Sequence, residues 1–247
     1  CQFEVNLKHS ADVLKVADGL IFLKNIVKFI SRKNGFAATF MAKPFANRPG
    51  NGLHTHFSLL NENKRNVFDN DTLQGSDKML SSIGGLLAHM KQSTLIFAPH
   101  LNSFRRLSPN QHAPTNLTWG YENRTAAIRI PGGKQSNRRI EHRVAGADTN
   151  IYLVLAAILG AAFDGLKNCT EAPQPVSGDC SDDSIKKVSA LPATWLEAIS
   201  CFEDGDLIGG TLNSVIRDMM IRTKKQELLT FTHDVSSFEY KSYLETV

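Results

Sequence analysis

The chain has 247 residues, of which 42% are apolar and 21% are charged. This composition supports a sizeable buried core and excludes a disordered protein. The net charge is a mild +4, and no basic stretch with interleaved aromatic residues indicates nucleic-acid binding. The longest apolar run, 151–163, is shorter than the roughly 18 residues that a membrane span needs. We therefore expect a globular protein that binds neither nucleic acid nor membrane.

The four cysteines are sparse and lack the spacing of a metal site. A reduced, cytoplasmic protein is therefore expected. The first residue is Cys1 rather than methionine, and apolar and polar side chains alternate from it to Leu7. We predict a strand there and expect further protein upstream.

Helix and strand signals then follow one another along the chain. Ser10 is the predicted N-cap of a long helix that Asn34-Gly35 ends. After it we predict strands at Phe36–Lys43 and Leu53–Leu60, a helix within Ser76–Phe97, a polar loop at Asn102–Trp119, strands at Ala126–Pro131 and Arg138–Val144, a linker at Glu171–Ser184, and helices at Ile151–Lys167, at Pro192–Glu203 and from about Thr211. This order predicts an α+β fold. Its strand-rich active-site part would be 1–160, and its helical C-terminal part 185–247.

Arginines are concentrated in the middle of the chain, where seven occur between positions 105 and 143 against two acids. Strand alternation places Arg139, Glu141 and Arg143 on one face. Guanidinium groups bind carboxylates and phosphates through two hydrogen bonds at once. The pattern therefore favours a polyanionic ligand, although a half-exposed strand with solvated charges is the alternative.

A second cluster follows a glycine loop, where His54, His56 and Ser58 would share one face of a strand. Such a histidine pair fits a zinc site, a phosphate contact or a merely solvated surface. Combined with the carboxylates of Glu4 and Glu141, it favours Mg²⁺ or Mn²⁺ bridging phosphates over thiolate-bound zinc.

Six short motifs in this chain resemble successive signatures of the glutamine synthetase family. They are Gln2-Phe3-Glu4, Gly50–Ser58, Asn102–Arg106, Asn123-Arg124-Thr125, Ile128–Pro131 and Arg138–Arg143. The resemblance implies that 1–247 is the C-terminal part of that catalytic domain, an antiparallel curved sheet flanked by helices. It also implies an ATP-dependent ligase that joins an amine to the γ-carboxyl of glutamate through a γ-glutamyl phosphate.

The resemblance also implies roles for individual residues. Two or more Mg²⁺ or Mn²⁺ ions per site are expected, with Glu4 on one ion and His54 and Glu141 on another. Catalytic roles fall to Arg124, Arg106 and His112, with Arg124 on the transferring phosphoryl group. Glutamate would contact Gly50, His54, Arg106 and Arg143, and ATP would contact His56, Ser58, Arg129 and Arg139. The family's other metal ligands would lie upstream, and its sites form between subunits of a homo-oligomer, a dodecamer, so this chain alone should be inactive.

His112 departs from the family pattern, because glutamine synthetases place a glutamate there that helps to bind ammonium. A neutral imidazole accepts a proton but does not attract NH₄⁺. We therefore expect an organic amine as acceptor, as in the γ-glutamylpolyamine or γ-glutamylputrescine branch, whose C-termini the ending Tyr243–Val247 also resembles. Ammonia, as in a true glutamine synthetase, is the alternative, as is an alignment slip that makes His112 an ordinary loop residue.

Two readings outside the ligase class stay open. His54 and His56 would serve a metal-dependent hydrolase, which would leave the arginines without a role. A paralogue that retains only the scaffold would need none of these side chains.

Overall fold

The structure, a computed structural model, describes residues 2–109, 111–181 and 188–247. Its helices are α1 Val13–Lys33, α2 Asp77–Phe97, α3 Leu101–Arg106, α4 Ile151–Asn168, α5 Trp195–Asp204, α6 Asp206–Thr211, α7 Ser214–His233 and α8 Ser237–Tyr243. Its strands are β1 Thr55–Phe57, β2 Trp119–Tyr121, β3 Ile128–Ile130 and β4 Ile140–His142, and a 3₁₀ turn lies at Gln135–Asn137. The predicted α+β class is confirmed.

Hydrogen-bonded caps set the ends of the long helices. Helix α1 begins two residues later than predicted, because the carboxylate of Asp12 accepts the Lys15 amide at 3.1 Å. It ends at Asn34, and Gly35 follows with a φ of 76°, as the turn signal indicated. Ser76 caps α2 and Asn150 caps α4 in the same way.

The four strands form one mixed sheet in the order β1-β4-β3-β2. β4 is antiparallel to both β1 and β3, whereas β2 and β3 are parallel. The expectation of an antiparallel sheet is therefore wrong for one pair. In that pair the Ile128 amide donates to Thr118 O at 3.1 Å and the Glu122 amide donates to Ile130 O at 3.0 Å.

Several predicted strands are shorter than expected or have no strand pairing in the described part of the chain. Residues 2–9 and 36–43 form no strand, and Phe3 and Phe36 are 86% and 72% exposed. The end of the second segment is held instead by the side chains of Asn51 and Asn102, the first bonding Met41 O at 2.8 Å and the second the Lys43 amide at 2.9 Å. Alternation alone does not make a strand without a neighbouring strand.

The predicted polar loop at Asn102–Trp119 is also partly wrong. Its first residues belong to α3, at whose start Ser103 Oγ accepts the His100 amide at 3.1 Å. The remainder is irregular where the structure describes it. The part of the predicted linker before residue 182 is irregular, and residues 182–184 lie outside the described residues.

Helices α2 and α4 form the centre of the core, behind the sheet. They approach closely at Gly85 and Gly165, where a Cβ on either would lie 2.2 Å from a backbone oxygen of the other helix. By length and hydropathy alone α4 could cross a membrane. Its buried face, however, packs in the core through Val154, Ala157 and Ile158.

Candidate active site

One face of the sheet carries a row of charged side chains. His56, Glu141 and Arg129 are direct partners across β1, β4 and β3, so their side chains point to the same side. We call this side the site face. The opposite side carries Ile128, Ile140 and other buried residues of the core, so the core fixes the backbone from which the site residues project.

Glu141 lies at the centre of the site face, and its side chain is only 2% exposed. One carboxylate oxygen accepts from Arg129 Nη1 at 2.9 Å and the other from Arg143 Nη1 at 2.5 Å, with His54 Nδ1 at 3.3 Å from the latter. Burial by itself raises the pKa of this carboxyl, but the His54 and Arg143 contacts outweigh burial and lower it to about 2. Glu141 is therefore ionised at neutral pH.

His56 lies beside Glu141, and its Nδ1 accepts from Arg139 Nε at 3.3 Å. Burial is the largest effect and lowers the pKa of the ring. The negative charge of Glu141 raises this pKa, and the positive charges of Arg139 and Arg129 lower it. The lowered pKa favours the neutral imidazole. Ser58 is half-buried two residues further along the same segment.

Arg106 joins the glycine loop to the sheet and is buried, with 5% exposed. Its guanidinium donates to Val144 O at 2.7 Å and to Arg143 O at 3.3 Å. A Cβ on Gly50 would lie 3.0 Å from Arg106 Cγ, and one on Gly52 would lie 2.8 Å from Arg106 Nη2. Burial lowers the pKa of Arg106 to about 10, so the group stays charged at pH 7. The predicted Gly50, His54, Arg106 and Arg143 set is thus brought together around one buried arginine.

Three predicted residues lie apart from this cluster. Glu4 is exposed, and its segment is held near the glycine loop by Gln2 Nε2, which donates to Gly50 O at 2.9 Å. Arg124 is exposed on the turn after β2, and His112 is exposed on the irregular segment after α3, with a φ of 56°. Among the described residues no group of three or more acidic, histidine or cysteine side chains forms a metal site.

The donor types nevertheless fit the metal expected from the sequence. Glu141 offers carboxylate oxygens and His54 an imidazole nitrogen, which Mn²⁺ accepts, while Mg²⁺ prefers the oxygens. Both side chains belong to the site face. Further ligands would come from phosphate oxygens, water or protein outside this pair.

Two contributors to the site were missed by sequence reasoning. Glu122 holds Arg129 from the solvent side, at 3.2 Å from Nη2, and also accepts the Gly132 amide. Lys43 is buried and donates from Nζ to Gln111, the neighbour of His112, and to Arg48 O. Glu122 is one of only two acids among the seven arginines of 105–143, which was a usable signal, whereas nothing in the sequence marked Lys43.

A family model described as the catalytic domain of glutamine synthetase matches residues 1–243. The chain belongs to the glutamine synthetase family. The resemblance of the six motifs is therefore confirmed, and it extends well past them into the helical C-terminal region.

Curated relatives include a γ-glutamylputrescine synthetase and several glutamine synthetases. The γ-glutamylputrescine synthetase PuuA of Escherichia coli (strain K12) is 34% identical over 244 residues, and the glutamine synthetase of Methanocaldococcus jannaschii is 34% identical over 250. These alignments cover 99% and 98% of this chain but 51% and 55% of the relatives. The chain thus spans about half the length of the curated relatives it matches.

Solved structures give the same picture of the fold. The GmaS/ADP complex in conformation 1 superposes with a TM-score of 0.87 at 31% identity, and apo GmaS without ligand with 0.85 at 31%. Each comparison covers 95% of this chain and 55% or 54% of the other. The glutamine synthetase catalytic fold expected from the sequence is therefore confirmed.

Proposed function

We propose that this chain carries the glutamate- and nucleotide-binding part of an ATP-dependent ligase that joins an amine to the γ-carboxyl of glutamate. The observation that carries the proposal is the Glu141 cluster, where a buried carboxylate faces His54, Arg129 and Arg143 on an open sheet face. Membership of the glutamine synthetase family supports it, as does the solved ADP complex of the similar protein GmaS.

In the proposed reaction the γ-carboxylate of glutamate attacks the γ-phosphorus of ATP, and ADP leaves. The amine then attacks the resulting γ-glutamyl phosphate and expels inorganic phosphate. Two unit charges of like sign about 4 Å apart repel by roughly 4 kcal/mol at an effective dielectric of 20. Positive side chains in fixed positions reduce this repulsion as the two anions approach.

The site residues divide this work between the two substrates. Gly50, His54, Arg106 and Arg143 hold glutamate, while His56, Ser58, Arg129 and Arg139 hold the nucleotide and its phosphates. Arg124 and Arg106 bind the charge that develops during transfer. His54 and Glu141 would hold one divalent cation and Glu4 another, and such cations neutralise phosphate charge when bound.

The acceptor in this proposal is an organic amine, such as a diamine or polyamine. His112 supports it, because an exposed imidazole in place of a carboxylate provides no negative charge to attract ammonium. The relatives do not discriminate, since PuuA and the M. jannaschii glutamine synthetase are equally identical to this chain. Ammonia is the competing acceptor.

The acceptor is tested by measuring phosphate release by the complete protein with ATP and glutamate. The acceptor added is ammonia, a monoamine, a diamine or a polyamine. We expect kcat/KM for the best organic amine to exceed that for ammonia by about 100-fold. The change His112→Glu should raise kcat/KM for ammonia about tenfold or more by adding one negative charge near the amine, whereas the neutral control His112→Gln should not. A preference of the unmodified protein for ammonia would refute the organic-amine proposal and leave the ligase class intact.

The complete protein is proposed to be a cytoplasmic homo-oligomer, a dodecamer, whose sites form between subunits, so that this chain alone is inactive. Exposed apolar residues on α1, such as Phe22, Ile26 and Phe29, support an assembly that covers them. Mass measurement in solution tests the assembly.

The division of the chain into 1–160 and 185–247 also stays a prediction. One tightly held zinc ion per chain would favour a metal-dependent hydrolase over the ligase.

A further inference from the structure

The turn between β2 and β3 presents Arg124 to solvent from a fixed backbone. Among the described residues, the Arg124 guanidinium makes no hydrogen bond or ion pair within the protein, and its side chain is exposed. Its position toward a ligand therefore depends on how firmly the turn is held. The residues on either side, Asn123 and Thr125, provide that support.

Asn123 closes the turn across Arg124. Its Oδ1 accepts from the Thr125 backbone amide at 3.0 Å and from Thr125 Oγ1 at 2.7 Å. An asparagine that bonds two residues ahead fixes the backbone between them. The residue between them is Arg124.

The other end of the Asn123 side chain reaches a separate segment, residues 172–181, which we call the strap. Asn123 Nδ2 donates to Val176 O at 3.0 Å and to Gly178 O at 2.8 Å. A single amide thus binds the turn through its oxygen and the strap through its nitrogen.

The strap is itself attached to the sheet beside the turn. The Val176 amide donates to Trp119 O at 2.8 Å, and Trp119 Nε1 donates to Pro173 O at 2.7 Å. Gly120 makes this approach possible, because a Cβ there would lie 2.4 Å from Val176 O. Thr125 Oγ1 also accepts the Cys180 amide at 2.9 Å. Both neighbours of Arg124 are therefore bonded to one segment that is anchored on β2.

We propose that Asn123 is a positioning residue that acts through Arg124, and that the strap is the support against which it holds the turn. The inference rests on the proposed function, in which Arg124 meets the transferring phosphoryl group. A misplacement of about 1 Å in such a group lowers the rate about 100-fold. The strap lies about 50 residues further along the chain than the turn that it supports, so no local sequence pattern connects them.

The change Asn123→Asp separates the two halves of this contact. It keeps an oxygen that accepts from Thr125 but puts a carboxylate oxygen against two strap carbonyls. Asn116→Asp is the matched control, because Asn116 Nδ2 donates to Cys180 O at 2.9 Å and so holds the same strap without touching the turn. A second pair of variants tests the same contact if Asn123→Asp does not fold. Thr125→Val removes the hydroxyl, and Thr125→Ser keeps it.

The test measures kcat, KM for ATP and melting temperature in the complete protein, including the Arg124→Ala and Asn123→Asp/Arg124→Ala variants. We expect Asn123→Asp to lower kcat about 100-fold with KM for ATP nearly unchanged, and Asn116→Asp to lower only the melting temperature. The double variant should be no slower than Arg124→Ala, and Thr125→Ser should retain the rate that Thr125→Val loses.

Equal losses of kcat in Asn123→Asp and Asn116→Asp would show a merely structural role and overturn the inference. So would a double variant whose loss of kcat equals the product of the two single-variant losses. If Arg124→Ala is slow and both Asn123→Asp and Thr125→Val retain the wild-type rate, the inference alone fails. If Arg124→Ala keeps the wild-type kcat, the role of Arg124 itself is refuted.

Discussion

On the site face, one buried carboxylate faces three nitrogen-bearing side chains. Glu141 is bonded by Arg129 and Arg143 and lies beside His54. A buried charge is stable only when it is paired and hydrogen-bonded. The same pairing keeps the carboxylate ionised, and it holds both arginines in the positions that the proposed anionic substrates require.

Replacing Glu141 by glutamine should disrupt this cluster, because an amide accepts at one end but opposes a guanidinium with its own N–H groups at the other. We expect Mn²⁺–ADP to bind the complete protein at least about tenfold more weakly in Glu141→Gln, measured by titration calorimetry. Glu122→Gln is the matched control, since Glu122 contacts Arg129 from a side chain that is 60% exposed and such contacts contribute little. Wild-type affinity in Glu141→Gln would contradict the proposed metal and nucleotide roles.

The sequence identified most of this cluster, and the reason is physical. Strand alternation correctly grouped Arg139 with Glu141 and Arg143, because β4 exists and its side chains alternate. It did not assign a role to Asn123, because the strap that this side chain binds lies more than 50 residues further along the chain, and a contact between distant segments leaves no local pattern. Glu4 and His112 lie where the described chain gives them no site partner, so their roles stay predictions.

At the scale of elements, the buried residues of the sheet belong to the same core as helices α2 and α4. Helices α2 and α4 meet where Gly85 and Gly165 face each other. Only glycine fits there, because the backbones themselves are in contact. Helices α1, α2 and α4 were predicted to within a few residues, whereas α3 and β2 were missed and the strands predicted at 2–7 and 36–43 do not form. Strand pairing depends on partners that a single segment does not reveal.

Alanine at Gly85 or at Gly165 should force the two helices apart. We expect each change to lower the free energy of unfolding by about 1–3 kcal/mol or more, the usual effect of overpacking a core. Gly19 is the matched control, because it lies within α1 and a Cβ there meets no atom within 4 Å. Gly19→Ala should be neutral or stabilising by up to about 1 kcal/mol. Urea unfolding of the three variants tests this, and equal stabilities would show that the close helix contact is wrong.

At the scale of the whole molecule, the chain combines the site face of the sheet with several exposed apolar surfaces. Residues 2–9 and 36–43 form no strand, and apolar residues of α7, including Met219 and Phe231, are exposed. The assembly proposed above would cover such surfaces. The curated relatives are about twice as long as the matched region. The sequence indicated the family, but which surfaces are covered, and by what, depends on contacts outside this chain.

The central claim, that glutamate is activated as an acyl phosphate, is tested most directly by isotope transfer. The complete protein is incubated with ATP, an acceptor amine and glutamate whose γ-carboxyl carries ¹⁸O, and the released phosphate is examined by mass spectrometry. Because one carboxylate oxygen becomes the bridging oxygen of γ-glutamyl phosphate and leaves with phosphate, we predict one ¹⁸O atom in each phosphate released when both γ-carboxyl oxygens are labelled. Unlabelled phosphate, or phosphate release that does not depend on glutamate, would contradict the proposed function.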